Sequence, residues 1–133
     1  MAPSDFTTVA NLALRAMADR AQAMGVQGAS VVAWATLSPA RQWTSHLHIV
    51  GSMTSGTNNL IAIAYSKAAE MADTLIDSGS EIRPPLRGEF GYKGGVIRPV
   101  ADGHILAVFS GATGEQDVEI SLAAVQLFSQ HYG

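Results

Sequence analysis

The sequence predicts an α+β domain, and three observations carry that reading. Apolar residues recur at helical spacing in three separate segments, two β-branched runs adjoin one another after the first of these, and an Asp-Gly turn joins two further apolar runs before the last. The resulting order of helix, two strands, helix, short strands and helix makes helices packed against an antiparallel sheet.

The first helix starts at Ser4, a good cap, and Phe6, Val9, Ala13, Met17, Ala21 and Met24 follow at helical spacing until Gly25. Its alanines at 10, 13, 16, 18, 21 and 23 allow close backbone approach, which suits packing on a sheet. Ser30–Thr36 and Trp43–Val50 read as an antiparallel pair joined through Ser38, Pro39, Ala40 and Arg41. A polar linker, 51–58, leads to a second helix from about Asn59 to Asp77, which stops at Ser78-Gly79. Leu60, Ala64, Ala68, Met71 and Leu75 make one apolar stripe of this helix, and Ile61, Ala72 and Ile76 widen it, as in a buried helix. A Pro/Gly-rich segment, Ser80 to Gly95, precedes the hairpin of Val96–Val100, Asp102-Gly103 and His104–Phe109, and the third helix runs from about Gly114 to His131. Thr113 and Gln116 have the spacing of a capping box at its start.

Composition narrows the function classes. With 133 residues, 47% hydrophobic, the chain can bury a sizeable core as a single domain spanning 1–133. Charged residues make up 14%, against about 25% in ordinary globular chains, so a homo-oligomer that hides apolar surface is expected. The net charge of −3 and the absence of a lysine-rich run argue against nucleic acid or an anionic membrane as partner. No cysteine is present, which excludes disulfides, thiolate catalysis, iron–sulfur clusters and covalent c-type heme. The amino terminus lacks the basic start and apolar core of a secretory signal, and no run reaches the length of a membrane span, so a cytoplasmic location is expected.

Two clusters of polar residues are candidates for chemistry. His46 and His48 lie two apart on a strand, so both rings can project from one face and converge on a divalent metal, with His104, Glu89 or Glu115 as a third ligand. The same alternation also describes the polar outer face of a half-buried strand. Arg83, Arg87, Lys93 and Arg98 place four of the eight basic residues within sixteen positions. Arginine forks suit carboxylates, although pairing with Glu81 and Glu89 would explain the same residues. Phe90 and Tyr92 beside them can stack on a planar ligand or pack the loop on the sheet. Glu115 and Asp117 set negative charge at the start of the last helix, which disfavours a bound phosphate there. Lys67 stands among small and apolar residues; if buried, its lowered pKa would let it act as a base.

Three stretches together resemble a known family. They are the helix Asn59 to Ala69 with its Ile63-Ala64 and Lys67-Ala68 core, the segment Pro84 to Gly95 leading into the Asp102-Gly103 hairpin, and the run Ser110-Gly111-Ala112-Thr113-Gly114-Glu115-Gln116-Asp117. Their order, over roughly Ala62 to Leu127, resembles the GlcG/HbpS family, a heme-binding or heme-degrading domain family that also supplies the C-terminal domain of PduO-type proteins. The first hairpin departs from the family, with Ala33-Trp34-Ala35-Thr36 where relatives carry a short turn after Val-Val-Asp. The resemblance implies a profilin-like (roadblock-like) antiparallel sheet of about five strands flanked by helices. It also implies a pocket for heme, a related tetrapyrrole or another anionic small molecule, set between the Pro/Gly-rich loop, the Thr113 turn and the central helix. In that pocket Arg83, Arg87 and Lys93 would neutralise carboxylates, Phe90 and Tyr92 would cover the ligand, and His104 or a strand histidine would ligate iron.

Two other readings stand beside this one. A metal-dependent enzyme would use His46 and His48 to hold the metal, Glu89 or Glu115 as general base and the basic loop to position a small organic acid. An assembly module without ligand would follow from the apolar helices and low charge. No Ser-His-Asp order, nucleotide fingerprint or metalloprotease motif is present.

Overall fold

The computed structural model describes residues 3–36, 42–52, 56–101 and 103–132. Helix α1 spans Pro3–Met24, strands β1 and β2 span Gly28–Thr36 and Trp43–Val50, and helix α2 spans Leu60–Thr74. Strands β3 (Gly95–Val100) and β4 (Gly103–Ser110) then lead to α3 (Gly114–Tyr132). The connection through Ser38, Pro39, Ala40 and Arg41, and Asp102 of the hairpin turn, lie outside the described residues.

The strands pair antiparallel in the order β2-β1-β4-β3. Among the described residues the sheet therefore has four strands rather than about five. The segment that could have supplied another is 78–94, where Pro84 and Pro85 lack amide donors and Gly79, Gly88, Gly91 and Gly94 adopt positive φ, so it folds as turns.

Alternation on the strands divides the core in two. Val32, Trp34, Ile105, Ala107 and Phe109 face α1 and α3, where they meet Phe6, Met17, Ile120 and Phe128. Val31, Ala33, Leu106, Val108 and Ile97 face α2 and pack on Ala64 and Met71. The alanines of α1 at 10, 13, 18 and 21 are buried against that first layer, as close helix–sheet packing requires.

Helix α2 ends sooner than its apolar stripe suggests. Leu75 takes a left-handed φ of 58° and donates its N–H to the Met71 carbonyl at 2.8 Å, closing the helix. Leu75 and Ile76 are consequently exposed rather than extending the buried stripe. The chain after them is tied to the edge strand: Ser78 Oγ accepts from Gly95 N–H at 2.9 Å, and Asp77 Oδ1 accepts from Ile97 N–H at 2.9 Å and from Arg98 at 2.7 Å.

Candidate functional site

The turn from β4 into α3 forms one wall of a cleft. Thr113 Oγ1 accepts from Gln116 N–H and Gln116 Oε1 accepts from Thr113 N–H, both at 3.2 Å, completing the capping box. Thr113 is thereby spent on the helix start, while Gly111, Ala112 and Gly114 face the cleft.

Asp117 organises this turn from below. Its Oδ1 accepts from Ala112 N–H at 3.0 Å and its Oδ2 accepts from Lys67 Nζ at 3.0 Å, while Lys67 also donates to the Phe109 carbonyl at 3.0 Å. The side chains of the pair are only 3% and 5% exposed. Burial pulls the Lys67 ammonium below the ordinary lysine range and pushes the Asp117 carboxyl above the ordinary carboxylate range, with the attraction between the two opposing both shifts. The pair bolts α2, β4 and α3 together beneath the cleft. Gly94 is what makes room for it: a Cβ there would lie 2.8 Å from Asp117 Cβ and press on Lys67 Nζ.

The cleft itself encloses about 520 Å³ between the start of α2, residues 91–93 and the turn. Leu60 and Ile63 give its lining apolar surface, and Tyr92, Lys93 and Glu115 line it as well. The Lys93 stem runs past Gly114, and its ammonium has no ion-pair partner among the described residues.

The remaining sequence candidates go elsewhere. Arg83 grips Glu89 through two bonds of 2.7 and 2.9 Å and reaches Asp73 at 2.7 Å, so its fork is already filled. Glu89 also accepts from Leu86 N–H at 3.0 Å, and these bonds hold its carboxyl down to about 2. Arg98 pairs with Asp77, and Arg87 is exposed. Phe90 and Tyr92 stack on each other, with centroids 5.4 Å apart.

The histidines do not converge. His46 and His48 oppose Val32 and Ser30 and so share the α1 face of the sheet; His46 packs 5.5 Å from the Phe6 ring and lies 3.4 Å from Thr7 Oγ1. His104 opposes Ala35, on the α2 face, near the start of β4 and about 20 Å along the strand from the Ser110 turn. Among the described residues, no three His, Asp or Glu side chains are grouped to hold a metal, and no histidine lines the cleft. The spacing of His46 and His48 places them on one face, where His46 meets Phe6 and Thr7.

Asp117 and Glu70 are the polar residues that sequence reasoning passed over as centres. A signal existed for the first: a lysine inside an otherwise small and apolar helical face needs a buried partner.

The arrangement of helices and sheet fits a GlcG/HbpS-like fold. Two solved structures share the fold. A PduOC–heme complex superposes with a TM-score of 0.65 at 18% identity over 100% of this chain and 96% of that one. The Klebsiella pneumoniae protein ORFY, of the DUF336 family, superposes with a TM-score of 0.60 at 16% identity, over 92% and 88% of the two chains. No protein-family model and no curated protein matches the sequence.

Proposed function

We propose that this protein is a cytoplasmic, oligomeric small-molecule-binding protein whose cleft takes a flat, carboxylate-bearing ligand of the heme or tetrapyrrole class. The observation that carries the reading is a cleft of about 520 Å³ lined together by Leu60, Ile63, Tyr92 and Lys93, with no ion-pair partner for Lys93 among the described residues. That volume lies within the usual range of small-molecule sites. In this reading a planar apolar ring lies against Tyr92 and the apolar α2 residues, with a carboxylate at its edge directed to Lys93. The heme in the PduOC structure of the same fold supports the ligand class. Exposed Leu47 and Tyr65, with the low charge content, support self-association.

The residues fit the plane and the carboxylates of such a ligand and do not supply an imidazole to its iron. Heme, if bound, would contribute its ring and propionates here, held by Tyr92 and Lys93. Absorbance titration with hemin and with metal-free protoporphyrin IX tests this. Both are expected to saturate with similar affinity, and Lys93→Ala is expected to weaken both about tenfold, equivalent to about 1.4 kcal/mol. Absence of saturable binding by either ligand would overturn the reading.

A further inference from the structure

A second hollow lies across Gly91 from the cleft. It encloses about 370 Å³ and is lined by Glu70, Gly79, Glu81, Arg83, Pro85 and Phe90 among others. Glu70, on α2, is 7% exposed. Its Oε2 accepts from Gly79 N–H at 2.9 Å; among the described residues its other oxygen has no hydrogen bond and no cation pairs with it. That free oxygen is not sealed from solvent, so it stands open to a donor entering the hollow.

The lysine on α2 and the arginine of the lining are both committed elsewhere. Lys67, one turn earlier on α2, is turned to Asp117 and the Phe109 carbonyl. Arg83, although it lines the hollow, is neutralised by Glu89 and Asp73. Glu81 adds a second carboxylate to the lining, so the hollow has an excess of negative charge and no free positive group among the described residues. Phe90, held in a stack with Tyr92, provides a π surface, and Pro84 and Pro85 provide aliphatic walls. Carboxylate plus aromatic face is the pairing that recognises an organic ammonium ion.

We propose that this hollow is a binding site for a small organic cation, a primary ammonium carried on an apolar group. The ammonium donates to the unpaired oxygen of Glu70, and the apolar part lies against Phe90 and the prolines. This site is separate from the cleft and does not depend on the ligand proposed there.

The test is an amide-resolved NMR titration of the full chain with benzylammonium, benzyl alcohol and benzoate, on the wild type and on Glu70→Gln. Glutamine keeps the acceptor for Gly79 N–H while removing the charge. Saturable shifts at Gly79 and Gly91 with benzylammonium, weakened at least tenfold both in Glu70→Gln and with benzyl alcohol, are expected. Equal binding of the alcohol or of benzoate, unchanged affinity in a folded Glu70→Gln, or no saturable shift with benzylammonium would each overturn the proposal. If the variant does not fold, the comparison of ammonium with alcohol on the wild type decides.

Discussion

At the residue scale the buried pair of Lys67 and Asp117 governs how this end of the molecule holds together. Each charge is out of water, so each depends on the other and on the amide and carbonyl that complete its shell. Lys67→Met strands the Asp117 carboxylate and is expected to lower stability by about 3 to 5 kcal/mol. Adding Asp117→Asn removes the stranded charge and should recover part of that loss, a non-additivity that urea melts of the two single variants and the double variant would measure. Gly94 belongs to the same unit. Gly94→Ala places a methyl against the pair at a φ of 131°, and a loss of about 3 kcal/mol in the same melts is expected. A melt indistinguishable from the wild type would show that the pair can shift to make room. Of this constellation, the lysine was visible in the sequence as an anomaly on an apolar helix. Its partner fifty residues later was not, because Asp117 reads locally as an ordinary acid in the first turn of a helix.

At the element scale the segment 78–94 is held less by a core than by polar clasps. Ser78 and Asp77 tie it to the β3 edge, Ser66 Oγ accepts from Phe90 N–H at 3.1 Å, and Glu89 joins Arg83 to the Leu86 amide. The last clasp makes the loop sensitive to acid. Glu89 sits at about 2 in the folded protein against 4.5 ordinarily, so between those values the unfolded chain binds the extra proton and stability rises with pH. The clasp is fully effective above about pH 4.5 and is lost as pH falls through about 2. Hydrogen exchange at the Leu86 amide, corrected for its intrinsic rate, should therefore accelerate over that window. Glu89→Gln should remove the pH step, and a step that persists in the variant would place its origin in another group. Sequence periodicity located α1, β2 and α3 within a residue or two because their apolar faces are regular. It overran α2, since Leu75 and Ile76 continue the apolar stripe while the backbone turns left-handed at Leu75. Local pattern registers what a face would bury, and it does not register where the chain must leave that face to reach the next strand.

At the scale of the whole molecule, a sheet with helices on both faces decides which candidate residues can meet. The sequence by itself determined the α+β class, the order of elements, the capping box at Thr113 and the likeness to a GlcG/HbpS-like fold. These depend on short-range periodicity, turn chemistry and the inventory of side chains, all of which are local. Tertiary structure alone decided that His46 and His48 lie across the sheet from His104, that Arg83 is consumed by Glu89 and Asp73, and that Lys93 remains to face the cleft. It also decided that Glu70 is buried with no cation paired to it among the described residues, which no spacing rule announces. The physical reason is the same in each case: strand alternation and register assign a face, but the partner on that face comes from a distant part of the chain, and charge is satisfied or left unsatisfied only when those parts are brought together.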